Sequence, residues 1–460
     1  MQYAILIDFG STFTKLTCVH LGEQKIVLTD QFPSTVRSDA GIGLHQCFEA
    51  ARREIGAEGV ARALKLSSSS AAGGLRMAVI GLTPSLSIAA GKNAAYGAGA
   101  KIMKNFFGAM TAADISQLEA AGVEIVLLCG GYEHGNRSLV LHNAELLSKS
   151  RLMAPIIYAG NSEAARDVRR LLAAGNKECF LVENIIPAIG VLNTAPTEAV
   201  IRNLFMKRIT NMKGMGAVQA EIGEILMPTP AAVLAAGTLL SRGTDQTAGL
   251  GPLLLLDVGG ATTDVYSFVE NTGYLGAKRV GVEEPYAKRT VEGDMGMRES
   301  AACLLDEVGA ETLAKQAGLS VVALEKAIEN RMTNTGLLAD TEAELRLDRA
   351  IAGEAVAISV RRHAGYVERV YSNGGHQVQR GKNLTEIRTV IGTGGVIVRG
   401  GAADGILRRA LLSDPREEFR LLPREMQTSV DRAYVLYAAG LLRSYDEETA
   451  LAIMKASICR

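Results

Sequence analysis

Two stretches of this sequence decide its fold, because each joins an apolar strand to an acidic, glycine-containing turn. The first reads Ile5-Leu-Ile-Asp8-Phe-Gly10-Ser-Thr12-Phe-Thr14-Lys15, and the second reads Leu254-Leu-Leu-Asp257-Val-Gly259-Gly260-Ala-Thr262-Thr263-Asp264. Each has an apolar run, an aspartate, one apolar residue, a glycine and a hydroxyl-rich turn before a second run of strand-forming residues. The repeat predicts two related parts of the chain, each starting with a strand hairpin.

The residue types in both turns suit the binding of a polyphosphate. Glycine lets backbone N–H groups approach phosphate oxygens without a Cβ in the way, and the Ser and Thr hydroxyls add further donors. An aspartate at the end of a strand can hold Mg²⁺ through water, which is the mode that magnesium prefers. We therefore expect Asp8 and Asp257 to hold magnesium, and the two turns to face each other and bind one ATP from both sides. Neither turn is a P-loop, because GxxxxGK[ST] is absent.

A third glycine-rich turn follows a later apolar run. The sequence Gly392-Thr393-Gly394-Gly395 comes directly after Val390-Ile391 and predicts a strand-to-helix turn. In its position after the second acidic turn, we expect it to contact the adenosine of the nucleotide. Any one of the three turns alone is equally compatible with an ordinary tight turn, so the prediction depends on their order and repetition.

The residues expected at the site come from these three turns. The candidates for catalysis are Asp8, Asp257 and Asp264, and Lys15 is expected to neutralise phosphate charge. The expected nucleotide-binding residues are Gly10, Ser11, Thr12, Thr14, Lys15, Gly259, Gly260, Ala261, Thr262, Thr263, Gly392, Thr393, Gly394 and Gly395.

Between residues 76 and 190 the pattern changes to alternating strands and helices, which predicts a parallel, helix-covered sheet. The expected strands are Met77 to Gly81, Val123 to Cys129, Pro155 to Ala159 and Cys179 to Val182, with an alanine-rich helix over Ser85 to Phe107. The serine-rich run that starts at Ser67 is expected to be a linker or a hinge. The predicted organisation is a first lobe in two parts (1–75 and 191–250), an inserted α/β domain (76–190) and a second lobe (251–460).

Composition excludes several classes of function. The 460 residues include 49 basic and 49 acidic ones, so net charge gives no basis for binding nucleic acid or a membrane surface. No apolar run approaches the length of a membrane span, and the start of the chain does not fit a signal peptide. The six cysteines are scattered singly, without a CxxC pair, as expected for a reducing cytoplasm.

The three turns in this order resemble the motifs of the actin/Hsp70/sugar-kinase superfamily. Asp8-Phe-Gly-Ser-Thr is similar to its first phosphate motif, Asp257-Val-Gly-Gly-Ala-Thr-Thr-Asp to its second, and Val390-Ile-Gly-Thr-Gly-Gly to its adenosine motif. The resemblance implies two ribonuclease-H-like ATPase lobes that use ATP and Mg²⁺. Met227-Pro-Thr resembles the Glu-Pro-Thr at the start of the Hsp70 connecting helix, with Met227 in the place of the glutamate. The residue that activates water is therefore not identified.

A narrower resemblance, to the accessory or reactivating proteins of glutamate (methylaspartate) mutase, extends over nearly the whole chain. The matching stretches include Gly97-Ala-Gly-Ala-Lys101, Leu141-His-Asn-Ala-Glu145, Pro155-Ile-Ile-Tyr-Ala-Gly-Asn161 and Lys288-Arg-Thr-Val-Glu-Gly-Asp-Met-Gly-Met-Arg298. This resemblance implies an ATP-dependent chaperone whose partner is an adenosylcobalamin-dependent mutase and which exchanges damaged cobalamin for intact coenzyme. No Asp-x-His-x-x-Gly segment is present, so direct binding of cobalamin is not predicted.

Other functions remain open at this point. A small-molecule kinase or a hydantoinase-like ATP-dependent amidohydrolase would share the fold, but a kinase needs a carboxylate base aimed at its acceptor, and the sequence places none. An actin-type filament or scaffold protein would need self-complementary surfaces. Lys288 to Asp294 could contact nucleotide, relay a closure or form a solvated loop. Oligomeric state, and whether the inserted segment binds a partner, are not fixed by the sequence.

Overall fold

The computed structural model describes residues 2–10, 12–36, 38–70, 75–210, 213–223, 227–371 and 376–459. The chain forms two compact units. The first comprises Met1–Val233 with the short pieces Gly281–Glu283 and Gly440–Tyr445, and the second comprises Leu234–Val280, Glu284–Ala439 and Asp446–Arg460. Among the described residues no helix is both long and apolar enough to cross a membrane.

The first unit contains two sheets and the helices that connect their strands. In chain order its elements are β1 (Tyr3–Phe9), β2 (Phe13–His20), β3 (Lys25–Pro33), α1 (Ala40–Arg62), β4 (Leu64–Ser69), β5 (Arg76–Gly81), α2 (Ala89–Gly97), β6 (Lys101–Phe107), α3 (Ala112–Ala120), β7 (Ile125–Gly130), α4 (Ser138–Lys149), β8 (Ile156–Gly160), α5 (Ala165–Ala174), β9 (Cys179–Leu181), α6 (Ala195–Thr210), α7 (Met215–Ile222) and β10 (Met227–Pro228).

The first sheet has the strand order β10-β4-β1-β2-β3. Its hairpin strands β1, β2 and β3 pair antiparallel, whereas β4 pairs parallel with both β1 and β10. Counted along the chain within this sheet, the order is 3-2-1-4-5. Strand β1 is at the centre, and Ile5, Leu6 and Ile7 are fully buried, as expected for an apolar strand covered on both faces.

The serine-rich run after Leu66 was expected to be a linker or a hinge, and for Ser67 to Ser69 this is wrong. These serines end strand β4, and all three side chains are fully buried. Hydrogen bonds offset the burial of two of these hydroxyls: Ser68 Oγ donates to Asp8 Oδ1 at 3.0 Å, and Ser69 Oγ donates to the Phe9 carbonyl at 3.1 Å. Residues 71–74 of the run lie outside the described residues.

The second sheet of the first unit consists of five strands, all parallel, in the order β6-β5-β7-β8-β9. The parallel sheet expected between residues 76 and 190 is therefore present. The helix expected over Ser85 to Phe107 is wrong in its last part, because α2 ends at Gly97 and Lys101–Phe107 forms the edge strand β6. Gly99, with a left-handed backbone (φ 89°), ends the helical stretch between α2 and β6. Strand β6 was missed because this edge strand is largely exposed and carries lysines rather than a continuous apolar run.

One hydrophobic core joins the two sheets of the first unit. It includes Ile5 and Phe9 of the first sheet together with Val79 and Leu127 of the second. The other face of the second sheet packs under its own helices around Ile80, Leu128 and neighbouring residues. The boundaries proposed for an inserted domain at 76 and 190 stay a prediction, and this segment shares part of its core with the first sheet.

Helix α8 (Thr229–Arg242) begins in the first unit, and the remaining elements belong mainly to the second. These are β11 (Leu253–Val258), β12 (Thr263–Phe268), β13 (Ala277–Val280), β14 (Ala287–Glu292), α9 (Ala301–Val308), α10 (Ala310–Ala317), α11 (Val321–Thr333), α12 (Glu342–His363), β15 (Tyr366–Val370), β16 (His376–Arg380), β17 (Thr389–Thr393), α13 (Gly395–Arg399), α14 (Ala403–Leu407), β18 (Gln427–Asp431), α15 (Leu436–Leu442), α16 (Glu447–Ser457) and β19 (Ile458–Cys459).

The main sheet of the second unit has the order β14-β12-β11-β17-β18-β19. Strands β11, β12 and β14 pair antiparallel, and β17 and β18 continue the sheet parallel to β11. Without β19 and counted along the chain, this is again the order 3-2-1-4-5. A smaller sheet, β13-β16-β15, lies in the same unit. Helices α9 to α12 lie after β14 and before β15 along the chain.

Candidate functional site

The first acidic turn connects β1 to β2 and is held by main-chain hydrogen bonds. The Gly10 N–H donates to the Phe13 carbonyl at 3.0 Å, and a Cβ on Gly10 would lie only 2.6 Å from that oxygen. Ser34, directly after β3, donates from Oγ to the Gly10 carbonyl at 2.6 Å and from its N–H to the Thr12 carbonyl at 2.9 Å. The predicted residue Ser11 lies outside the described residues.

Asp8 is a buried carboxylate at the end of β1, with an exposure of 1%. Ser68 Oγ donates to its Oδ1 at 3.0 Å, Thr229 Oγ1 also donates to Oδ1, and Lys15 Nζ lies 3.8 Å from Oδ2. Burial raises the pKa of Asp8, while the charge of Lys15 and the two hydroxyl donors act to lower it. The local structure thus fixes this carboxylate in one orientation beside a cation.

Strand register places Lys15 and Thr14 in different surroundings. Lys15 lies directly opposite Asp8 in the β1–β2 hairpin, and its side chain is 30% exposed. Thr14 is fully buried, and its Oγ1 lies 2.8 Å from where a Cβ on Gly43 of α1 would be. The phosphate-binding roles expected of Lys15 and of the Thr14 hydroxyl both stay predictions.

The second acidic turn, between β11 and β12, repeats the construction of the first. The Gly259 N–H donates to the Thr262 carbonyl at 2.9 Å, as Gly10 does to Phe13. Thr262 Oγ1 donates to Asp264 Oδ2 at 3.3 Å. The Thr263 side chain is fully buried and donates from Oγ1 to the Met295 carbonyl at 2.6 Å, so its hydroxyl fixes the turn from inside.

The sheet brings three of the predicted residues side by side. Asp257 on β11 lies opposite Asp264 on β12 and beside Thr393 on β17. The Asp264 carboxylate accepts from Arg289 Nε at 2.8 Å, and Arg289 is only 5% exposed. This buried guanidinium therefore neutralises Asp264, and the magnesium-binding role expected of Asp257 stays a prediction.

The third turn follows β17 and starts α13. Gly394 has φ 98°, and a Cβ there would lie 2.3 Å from the Val258 carbonyl. A Cβ on Gly392 would lie 2.8 Å from side-chain atoms of both Ile397 and Leu407. Both positions therefore require glycine, and the third turn packs against the end of the strand that carries Asp257. Gly395 is in open space.

Four further residues help to build the site: Ser34, Ser68, Thr229 and Arg289. Arg289 lies in the stretch from Lys288 to Asp294, for which the sequence left several roles open. Thr229 belongs to the Met227-Pro-Thr stretch that drew attention only through its methionine. For the other three residues the sequence carries a weaker signal. Each lies in or directly after a different strand and reaches the turns only in the folded chain. In the part of the chain that the structure describes, no group of three or more His, Cys, Asp or Glu side chains could hold a metal ion. A magnesium ion here would depend on single carboxylates, water and phosphate oxygens, which is a usual mode for this ion.

Comparison with known proteins gives both weak and strong similarities. Among solved structures, the ethanolamine utilization protein EutJ from Carboxydothermus hydrogenoformans is 12% identical (98% of this chain and 89% of that chain covered, TM-score 0.27). Xylulose kinase from Bifidobacterium adolescentis is 14% identical (99% and 93% covered, TM-score 0.32). TM-scores of this size add nothing to the fold described above.

The similarity in sequence is much stronger. The family model described as MutL protein matches residues 4–458. "Protein MutL" of Clostridium tetanomorphum is 37% identical over 457 residues, with 99% of each chain covered. By both measures, this chain belongs to the MutL protein family.

Proposed function

We propose that this chain is an ATP-dependent reactivating chaperone of an adenosylcobalamin-dependent glutamate (methylaspartate) mutase. It binds and slowly hydrolyses ATP with Mg²⁺, and it uses this reaction to exchange damaged cobalamin on the mutase for intact coenzyme. Membership of the MutL family and the resemblance of the sequence to glutamate mutase accessory proteins support the choice of partner. The scattered single cysteines support a cytoplasmic location.

The observation that carries the ATP-binding part of the proposal is the duplicated acidic turn. Two sheets with the order 3-2-1-4-5 each have an aspartate near the end of the first strand, Asp8 and Asp257. Each aspartate precedes a glycine turn closed by the same N–H to carbonyl bond, from Gly10 and from Gly259. Burying a carboxylate such as Asp8 is costly, and an ordinary hairpin does not require one. A buried, hydroxyl-bonded carboxylate at this position therefore favours a functional site.

In this proposal both turns bind the phosphates of one ATP. Asp8 and Asp257 hold Mg²⁺ through water, the backbone N–H groups and Lys15 contact phosphate oxygens, and Gly392 to Gly395 contact the adenosine. When bound, the magnesium ion neutralises charge on the phosphates during their hydrolysis. ATP can drive a change on the mutase only if it binds two states of this protein with different affinity.

Slow hydrolysis is expected because Met227, which has a thioether side chain, stands where the resembling Hsp70 motif has a glutamate. Met227 pairs with Ser68 at the edge of the first sheet, and its side chain cannot accept a proton from water. Asp264 is neutralised by Arg289. Asp264 is thus the least suited of the three candidates to orient the attacking water, and Asp8 and Asp257 stay candidates for this role.

Reactivation of a damaged mutase tests the proposal directly. Glutamate mutase inactivated with hydroxocobalamin is incubated with the purified protein, ATP, Mg²⁺ and fresh adenosylcobalamin, and the mutase reaction is then measured. We expect activity to return with ATP and not with ADP. No recovery, together with phosphorylation of a sugar or hydrolysis of a cyclic amide, would instead support the small-molecule kinase or the hydantoinase-like enzyme.

A further inference from the structure

The segment from Gly293 to Ser300, here called the anchoring segment, lies directly after β14 and contacts the second acidic turn. Its main-chain N–H groups donate to carbonyls of that turn. Met297 donates to Gly259 O at 3.0 Å, and Arg298 donates to Gly260 O at 2.7 Å. The segment begins within the stretch from Lys288 to Asp294, for which the sequence left several roles open, and its contacts with the turn come from residues after that stretch.

A third contact completes the set. Ser300 Oγ donates to Ala261 O at 2.7 Å, so three successive carbonyls of the turn are bonded from the anchoring segment. A peptide group is planar and trans, so its N–H points opposite to its carbonyl. The N–H groups of Gly260, Ala261 and Thr262 are therefore directed away from the anchoring segment. Successive N–H groups turned to one side form a binding place for an anion.

The fit between the two pieces of backbone is too close for a side chain. A Cβ on Gly296 would lie 2.4 Å from the Ala261 carbonyl carbon and 2.6 Å from Gly260 O. Real Cβ contacts of this length do not occur, and the obstructing atoms are backbone rather than a mobile side chain. A substitution at Gly296 must therefore move the anchoring segment away from the turn.

Buried ion pairs hold the anchoring segment to helix α12. The Arg298 guanidinium donates to both oxygens of Asp348, at 3.2 and 2.8 Å, and its Nη2 also donates to the Leu337 carbonyl at 3.0 Å. Asp348 accepts a further bond from Arg331 Nε at 2.8 Å, and Arg331 is 1% exposed. Bidentate, buried pairs fix the orientation of both partners, so Arg298 cannot shift without breaking this cluster.

The same helix holds the other end of the segment. Arg362, also on α12, donates to Asp294 and to Glu292 at 2.9 and 3.0 Å. The first turn has a simpler counterpart, since Ser34 follows β3 just as the anchoring segment follows β14, and both strands are third in their sheets. In both sheets, residues that follow the third strand along the chain thus donate hydrogen bonds to the carbonyls of the acidic turn.

We propose that Arg298 and Gly296 are positioning residues, which hold the second turn with its N–H groups directed to the polyphosphate of the bound nucleotide. This inference rests on the proposed function, because it assumes that the second turn binds phosphate. Arg298 acts through the backbone of the turn. Its loss weakens binding of the phosphates and leaves binding of the adenosine unchanged.

The test compares two arginines that share the same carboxylate. Arg298→Met and Arg331→Met each remove one partner of Asp348 and leave the other, but only Arg298 belongs to the anchoring segment. Dissociation constants for ATP with Mg²⁺ and for adenosine are measured on the full chain by calorimetry. We expect Arg298→Met to raise the Kd for ATP about 10-fold or more, as for the loss of a charge-assisted hydrogen bond, with Kd for adenosine unchanged. Arg331→Met should leave both constants close to those of the wild type.

A glycine pair gives a second, independent comparison if the arginine variants fold poorly. Gly296→Ala should raise the Kd for ATP in the same way, whereas Gly273→Ala, at a position with open space around it, should not. If the wild type binds ATP and both Arg298→Met and Gly296→Ala match their controls, the positioning role is wrong and the proposed function stands. If the wild type binds no ATP, both are overturned. Equal loss of ATP and adenosine binding would show a general disturbance of structure and would also overturn the positioning role.

Discussion

At the scale of single residues, the site is a set of carboxylates whose surroundings differ. Asp8 is buried and receives two hydroxyl donors, whereas Asp264 is paired with the buried Arg289. Asp257 differs from both, because its side chain is partly exposed and it pairs with Thr393 of the neighbouring strand. The aspartate in each turn is visible in the sequence, but the difference between the three carboxylates comes from partners far away along the chain.

Replacing Thr229 by valine should change the pH dependence of ATP hydrolysis. The Thr229 hydroxyl stabilises the ionised form of Asp8 and so lowers its pKa, against the effect of burial. Without this donor the pKa of Asp8 rises, and a larger fraction of the carboxyl is protonated at a given acidic pH. The acidic limb of the rate profile should therefore move to higher pH. Ser38→Ala, which removes an exposed hydroxyl, serves as the control, and an unmoved limb would contradict an ionised Asp8 in the reaction.

Asp257→Asn should abolish ATP hydrolysis and leave the fold intact. Removal of a carboxylate that holds magnesium takes away electrostatic stabilisation of the transition state, and a rate loss on the order of 100-fold or more is expected. Because Asp257 is only partly buried, the free energy of unfolding should change by no more than about 1 kcal/mol. Phosphate release and thermal unfolding measure the two quantities. Unchanged hydrolysis would show that magnesium is not held here.

Asp8→Asn should stabilise the nucleotide-free protein at neutral pH. Because burial raises the pKa of Asp8 in the folded state, the folded state binds its proton more tightly than the unfolded chain does. Stability is then lost as pH rises from the unfolded pKa through the folded pKa, and the neutral amide avoids this loss. The free energy of unfolding is expected to rise by an amount on the order of 1 kcal/mol at pH 8, as for other substitutions that trade function for stability. Thermal unfolding at pH 5 and pH 8 measures the difference between the variant and the wild type. A variant less stable than the wild type at pH 8 would contradict this cost of burial.

At the scale of elements, packing decides what each helix tolerates. Gly237 lies in α8, and a Cβ there would be 2.2 Å from Phe268 Cζ and 2.9 Å from Leu255 Cδ1, both on the main sheet of the second unit. The helix therefore rests directly on the strands, with glycine at the point of contact. Helix propensity alone would favour alanine at this position, so propensity and packing predict opposite effects.

Gly237→Ala should destabilise the protein despite its better helix propensity. Overpacking of a closely packed contact typically costs about 1 to 3 kcal/mol, which exceeds the gain of up to about 1 kcal/mol from replacing glycine in a helix. Gly405→Ala in α14, where a Cβ meets open space, should show only the gain. Chemical denaturation measures both variants. Equal effects at the two positions would mean that α8 is not packed on the sheet in this way.

At the scale of the whole molecule, the two sheets of the first unit share a core. Val79 and Leu127 of the parallel sheet lie in the same hydrophobic cluster as Ile5 and Phe9 of the first sheet. An insertion that folded by itself would need a closed core of its own. Here one face of the parallel sheet depends on residues outside 76–190 for its burial.

The excised segment 76–190 should therefore not fold cooperatively. One face of its sheet would expose buried apolar side chains to water, at a cost of about 25 cal/mol for each Å² exposed. We expect no sharp thermal transition and rapid proteolysis of this fragment, whereas a chain of residues 1–233 should give a transition. A stable, protease-resistant fragment would instead support an independent inserted domain with the boundaries that the sequence predicts.

Much of the fold was predictable because local patterns carry it. Apolar runs such as Leu254 to Leu256 predicted buried strands, and the repeat of aspartate and glycine after two such runs predicted the paired hairpins that the structure contains. Strand β6 was missed because an exposed edge strand has no continuous apolar run. Strand β4 was missed because its serines are polar, and the hydroxyls of Ser68 and Ser69 are buried with hydrogen bonds to β1 that the local sequence does not show.

By itself, the sequence determined the apolar strands, the two acidic turns and the position of the third glycine turn, because glycine, aspartate and apolar spacing act over a few neighbouring residues. Only the tertiary structure decided which groups support those turns. Ser68 and Thr229 reach Asp8, Arg289 reaches Asp264, and Arg298 joins the second turn to Asp348 across tens or hundreds of residues of chain. Hydrogen bonds and ion pairs depend on distance in space, and the pairing of strands that sets this distance is not encoded in any single stretch.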